Sequence, residues 1–423
     1  MDYPLWLANS DISGALVIAL VSIFHVFISH FAVGMGLFLV LAEKKALKEQ
    51  NEELKIFVKK TSALVLLISA VLGALTGVGI WFTIALVSPA GTSALIHNFV
   101  WGWAAEWVFF VLEIVTILVY YYTWNKVSDK YHVLLGWLYF VGAYMSLVII
   151  VGIITFQLTP GKWIETHSFW DGFLNPTYIP SIVGRTGIAL LLAGIYAMIT
   201  LSLMKNSEVK KNASRFSGYF VLAGIILTFV GMTWWVFAIP ADIREQFLGG
   251  NMTLTNFFKY SGYITAIMGF LTLLFMFVLP RYINIAITLI ILILGQISFG
   301  YYEFTRERAR KPFVIRDYMY SNGILVSEVE KLNEEGILSK AKWANIENEK
   351  DVMKIGRAVF VAECKICHSL NGFNALRPKI EGLEAEDIDA MLMDLDSNPL
   401  MPPFVGTDAE REALAKYLAK IAQ

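Results

Sequence analysis

Long apolar runs recur eight times in the first 301 residues, near 13–42, 61–88, 96–124, 132–158, 182–204, 217–239, 260–280 and 282–301. As helices, each is long enough to cross roughly 30 Å of hydrocarbon. The pattern therefore predicts eight transmembrane helices, the last two joined by a tight turn at Pro280-Arg281-Tyr282. From residue 303 onward acidic and basic residues alternate as they do on a water-exposed domain. The expected architecture is all-α: a polytopic membrane helix bundle over 1–320, a linker over 321–350 and a smaller domain over 351–423.

Composition supports the membrane reading. Of 423 residues, 57% are hydrophobic and only 16% are charged, against about 25% charged in a soluble protein. The net charge of −1 offers nothing to a nucleic acid. Met1 to Ser10 has no basic n-region, so the first helix is expected to be kept as a signal anchor.

Loop charges orient the spans. Lys44, Lys45, Lys48, Lys55, Lys59 and Lys60 follow the first run, Lys126 and Lys130 the third, Lys205, Lys210, Lys211 and Arg215 the fifth, and Arg281 the seventh. The opposite side carries only Lys162, Arg185, Arg244 and Lys259. The positive-inside bias turns both termini outward. It predicts a multi-pass protein of a bacterial or archaeal cytoplasmic membrane, with its C-terminal domain on the periplasmic or outer side.

The only two cysteines stand in Cys364-Lys365-Ile366-Cys367-His368. Two thiols and a histidine at this spacing read as a covalent haem c site. Cys364 and Cys367 would form thioethers, and His368 would ligate iron. Zinc is the rival, but a structural zinc site usually needs four ligands and no Cys or His follows position 368. Met401, between Asn398-Pro399-Leu400 and Pro402-Pro403, is the expected second axial ligand, since flanking prolines stiffen the loop. Met391 and Met393 fall in a stretch from Glu384 that reads as a helix facing a core. Helices are also expected over Val352–Val361 and Asp408–Ala422, with Asp408 as N-cap. The whole segment reads as a class I-like cytochrome c domain.

Arg306, Arg308, Arg310, Lys311 and Arg316 cluster after the last run, on the side that should be poor in cations. A solvated neck, a span miscounted by one, or haem propionates bound by guanidinium groups would each account for them.

Ionisable residues inside apolar runs default to a functional reading. Glu106 and Glu113 are seven apart in the third run and share a helix face, which suits a proton path or one haem contact and one proton relay. His25 and His30 are five apart and point about 140° from one another, so both can hardly bind the same iron. His97, His132 and His167 read as interfacial polar residues. Gly34, Gly36, Gly73, Gly77 and Gly79 permit close approach of helices or of a macrocycle. Trp101, Trp103 and Trp107 suit an aromatic belt or a porphyrin wall.

Over about residues 10 to 320 the chain resembles subunit I of the cytochrome bd-type oxygen reductases. The resemblance lies in Ala19-Leu20-Val21-Ser22-Ile23-Phe24-His25-Val26-Phe27 with Gly34-Met35-Gly36, in Phe109-Phe110-Val111-Leu112-Glu113, and in Glu307-Arg308-Ala309-Arg310-Lys311-Pro312-Phe313. The last is similar to the family pattern of Glu, two residues, then Arg-Gln-Pro-Trp. The resemblance implies that His25 and Glu307 ligate membrane haem iron, that Arg310 and Arg306 assist haem binding, and that Glu106 and Glu113 are the catalytic carboxylates. It also implies one or more non-covalent haems of b or d type and a second membrane subunit of the same kind. The histidine and methionine that ligate a low-spin haem beside the quinol site in quinol-oxidising members have no counterpart in Tyr178–Arg185 or Tyr263–Ala266, although Met268 is a turn away.

Together these features predict a terminal oxygen reductase that takes electrons through haem c, from a soluble or membrane cytochrome c or a quinol dehydrogenase, and reduces O2 in the lipid bilayer. The alternative is a non-catalytic subunit passing quinol electrons outward through haem c. A haem-based sensor is a third reading, without a following signalling domain to support it.

Overall fold

A computed structural model describes residues 4–205, 208–346 and 349–423. Two positions of the expected linker, 347 and 348, lie outside it. Eight helices are long and apolar enough to cross a membrane among the described residues: α1 Gly14–Lys48, α2 Glu52–Val87, α3 Val100–Tyr122, α4 Asp129–Phe156, α5 Tyr178–Ser202, α6 Glu208–Ala238, α7 Met252–Val278 and α8 Ile285–Arg308. Pro280–Tyr282 forms a single 3-10 turn between α7 and α8. The eight spans stand where the apolar runs place them. Several helices outrun their apolar stretch because their charged ends extend past the hydrocarbon.

The chain divides into two compact units: Met1–Val21, Gly79–His97 and Glu307–Gln423 in one, and Ser22–Val78 with Asn98–Arg306 in the other. In the second unit α5 is the most enclosed helix, with 67% of its most apolar window buried. It packs along α6 through glycines. A Cβ on Gly187 would stand 2.2 Å from the Thr228 backbone nitrogen, and one on Gly231 would stand 2.1 Å from that of Gly184. Only glycine permits such backbone approach, the usual device for helix packing in lipid.

Helix α2 is not α-helical throughout. Leu66–Gly73 is a π-helix between Glu52–Val65 and Ala74–Val87. Such segments recur at functional sites. Here it turns Ser69 toward α3, onto Glu113, and sets Thr76 and Gly77 against His25 of α1.

In the first unit, β1 Phe313–Ile315 pairs antiparallel with β2 Met319–Tyr320. The helices that follow are α9 Val329–Glu335, α10 Val352–Val359, α11 Ala385–Met393 and α12 Asp408–Ala422. Their core includes Val359, Phe360, Ile388, Leu414 and Leu418. Ile324, Leu332 and Ile337, from the stretch expected as linker, belong to the same core. A Cβ on Gly356 would lie 2.1 Å from the Ala413 carbonyl oxygen, so α10 crosses α12 at close range.

Two local expectations are corrected. The N-cap of α12 is Thr407 rather than Asp408. Thr407 has extended backbone and its hydroxyl accepts from the Glu410 N–H, while the Glu410 carboxylate accepts from the Thr407 N–H at 2.9 Å. That reciprocal pair is a capping box, and Asp408, already helical, bonds Arg411 instead. Met391 and Met393 are exposed, because Ile388 and Leu392 carry the buried face of α11.

Candidate functional site

The Cys364–His368 motif grows out of a helix end. After α10 a π-turn, Phe360–Cys364, brings the first cysteine round, and the His368 N–H then donates to the Cys364 carbonyl at 2.9 Å. Both thiols are free. The buried His368 ring has Nδ1 bonded to the Asn374 carbonyl at 3.0 Å. A carbonyl only accepts, so Nδ1 carries the proton and Nε2 is left with its lone pair, as a histidine ligand requires. Burial pulls the imidazole down to about 4, which keeps it neutral near pH 7.

Met401 is half-buried. Its loop does return to the motif, since the Val405 N–H donates to the Glu363 carboxylate at 3.4 Å. Burial raises Glu363 well above the ordinary carboxylate range.

Glu307, expected as a haem ligand, is half-exposed. It pairs with Arg310 and, at 3.7 Å, with Lys311. Lys311 donates to Ser321 Oγ at 3.0 Å and reaches Cys367 Sγ at 3.7 Å. Arg310 is buried, and its Nε and Nη1 atoms have no hydrogen-bond partner among the described residues.

In the other unit the two histidines of α1 separate by role. The His30 ring has Nδ1 at 2.6 Å from the Val26 carbonyl and Nε2 at 3.4 Å from Arg185 Nη1, so both nitrogens are engaged. His25 has Nδ1 at 3.0 Å from the Thr76 hydroxyl, which itself donates to the Leu72 carbonyl at 2.7 Å. The hydroxyl therefore accepts from Nδ1–H, and His25 Nε2 keeps its lone pair. A Cβ on Gly77 would come within 3.2 Å of the His25 ring, so glycine there gives the imidazole its place against α2.

The carboxylates of α3 are each held by a hydroxyl. Ser146 donates to Glu106 at 2.7 Å and Ser69 donates to the buried Glu113 at 3.0 Å. Arg306 binds Glu303 at 2.8 Å, and Arg185 approaches the same carboxylate at 3.7 Å. Glu303 was missed by sequence reasoning because the apolar run ends at 301 while α8 continues to Arg308. A carboxylate three residues before Arg306 on one helix face was its available signal. His132 is a second correction: rather than interfacial, it is buried and bonded to Glu43 at 2.6 Å. His97 and His167 are exposed, as are Trp101 and Trp107.

The family described as cytochrome bd terminal oxidase subunit I matches residues 15–236. That span holds α1 to α5 and nearly all of α6, with His25, Glu106 and Glu113. The chain belongs to the cytochrome bd terminal oxidase subunit I family. Membership makes it a membrane oxidoreductase of the terminal oxidase type. Among solved structures it is similar to the bd oxidase from Geobacillus thermodenitrificans, at 14% identity and a TM-score of 0.57, over 72% of this chain and 88% of that one. That likeness concerns the fold. No curated protein matches the chain in sequence. The family match ends well before the Cys364–His368 motif.

Proposed function

We propose that the chain is the haem c-bearing catalytic subunit of a bd-type oxygen reductase, in which electrons enter at the Cys364–His368 site rather than from quinol. The observation that carries this reading is His368: its Nδ1–H donates to the Asn374 carbonyl, which leaves Nε2 its lone pair, one residue from the free thiol of Cys367.

The donor sets fit the groups proposed for them. Cys364 and Cys367 would hold the covalent haem, and His368 and Met401 would ligate its iron. His25 would ligate a membrane haem through Nε2, and Glu307 a second one of b or d type. Arg310 has two buried guanidinium nitrogens without hydrogen-bond partners among the described residues, which suits an anionic haem edge such as a propionate. Bound haems would supply one-electron transfer at the covalent site and the chemistry of O2 reduction in the membrane. The protein's own share is ligation, proton supply along Glu113 and Glu106, and exclusion of side reactions.

Donation by a cytochrome c or by a dehydrogenase, rather than by bound quinol, is supported by α5 and α7. Arg185 is buried against His30 and Glu303 near the place where quinol-oxidising relatives carry a low-spin haem ligand. Met268 is buried too, 3.0 Å from where a Cβ on Gly295 would stand. A second membrane subunit completes the enzyme, and the c domain faces the outer side.

Reduced-minus-oxidised spectra with and without carbon monoxide, together with a haem stain after denaturing electrophoresis, test the proposal. A covalent haem band plus a carbon monoxide-reactive membrane haem is expected. A single iron per chain, that of the covalent haem, would refute it.

A further inference from the structure

Lys311 stands where the family pattern that Glu307–Phe313 resembles has glutamine. Its surroundings lie wholly within the unit that carries the Cys364–His368 motif. The Lys311 ammonium meets three groups: Ser321 Oγ at 3.0 Å, Cys367 Sγ at 3.7 Å and Glu307 Oε1 at 3.7 Å. Two of these are the attachment point of the proposed covalent haem and the proposed ligand of a membrane haem. A glutamine is one atom shorter and carries no charge, so it could not do the same work there.

The chain around Lys311 is packed, which fixes the bridge. Ser321 is buried, and its N–H donates to the Pro312 carbonyl at 2.8 Å. Across β1 and β2, Phe313 stacks on Tyr320 with ring centroids 4.9 Å apart. Ile324 then enters the core of the C-terminal helices. The end of α8 therefore passes to the motif through folded structure, and the separation of Glu307 from Cys367 has little freedom.

The local charge is positive. Arg310 takes Oε2 of Glu307 while Lys311 faces Oε1, so one carboxylate is shared between two cations and leaves one net positive charge. A further ammonium, Lys379, meets the motif through Asn374: it donates to Asn374 Oδ1 at 2.6 Å, and Asn374 Nδ2 donates to the Cys367 carbonyl at 2.9 Å. Reduction lowers the charge of an iron site by one, and a fixed cation nearby favours the form of lower charge. One charge acting over roughly 10 Å at an effective dielectric of about 20 changes an equilibrium about tenfold, which for one electron is ~59 mV.

We propose that Lys311 is a positioning residue for electron transfer: it fixes the Cys367 attachment point beside Glu307, so that one electron passes directly between the two haem sites, and its charge eases reduction of the covalent one. The covalent haem is oxidised as the haem at Glu307 is reduced; no bond is made or broken and no proton moves. The inference rests on the haem assignments above and adds the contact that couples them.

Lys311→Gln restores the family residue and removes the charge, whereas Lys311→Arg keeps it. In the full complex, redox titration gives the midpoint potential of the covalent haem, and a flash that expels carbon monoxide from the partly reduced complex times electron backflow to it. Lys311→Gln should lower the midpoint by an amount of the order given above and slow backflow several-fold, with the membrane haem spectrum as in the wild type and Lys311→Arg close to wild type in both. A wild-type value of either quantity in Lys311→Gln would overturn the inference. Should that variant not assemble, Ser321→Ala, which removes the hydroxyl gripping the ammonium, should slow backflow in the same direction, and a wild-type rate there would overturn it equally. Failure of both to assemble with haem would assign Lys311 to folding and overturn it also. A wild-type complex lacking the covalent haem or the membrane haem would instead remove the underlying reading.

Discussion

Glu303 holds two guanidinium groups, and that asymmetry sets an order of mutational cost. Arg306 sits at 2.8 Å and Arg185 at 3.7 Å, with side chains 21% and 3% exposed. At an effective dielectric of 20, the longer pair is worth roughly 4 kcal/mol of attraction before desolvation. Removing one partner of a buried pair costs about 3–5 kcal/mol, because the other charge is left uncompensated. Glu303→Gln leaves two arginines facing each other and should cost at least that much. Arg185→Leu leaves the Glu303–Arg306 pair whole and relieves α5 of a buried cation, so it should cost about 1 kcal/mol or less. Unfolding of the detergent-solubilised protein by sodium dodecyl sulfate, followed by tryptophan fluorescence, measures both. If Glu303→Gln is no more destabilising than Arg185→Leu, the charge accounting of this cluster is wrong.

Replacing Cys364 and Cys367 with Ala should abolish the covalent haem band while leaving the membrane haem spectrum in place. His25→Ala should remove the carbon monoxide-reactive signal, whereas His30→Gln should keep it, since His30 has no nitrogen to offer; difference spectra of membranes decide this. In the haem-free protein the native state holds His368 at about 4 and the unfolded chain near 6.5. The unfolded chain therefore binds the extra proton between those values. Stability should be full above pH 6.5, fall as pH drops toward 4, and flatten below, a loss of about 3 kcal/mol. Denaturant midpoints at pH 7 and pH 4 measure the slope, and His368→Gln should lack that share of it.

The spans were readable in sequence because hydrocarbon thickness dictates their length. The extended helix ends were less readable. Residues such as Glu52, Glu53 and Lys55 are helical in α2 yet too polar to count as part of a span. The pairs Glu43–His132 and Arg185–Glu303 join positions 89 and 118 apart in the chain. No local periodicity encodes them; only the packing of α1, α3 and α4, or of α5 and α8, brings them together. The cap of α12 was displaced by one residue because both Thr407 and Asp408 are acceptable caps, and the choice falls to the reciprocal bond from Glu410.

The widened turns at Leu66–Gly73 let a single helix answer to two clients. Removing one residue there would restore regular winding and swing the two halves of α2 about 100° out of phase. Ser69 could then remain with Glu113, or Thr76 and Gly77 with His25, but not both. The setting of Glu113 and that of His25 would be forced to vary together. The irregular winding frees each to change without dragging the other along.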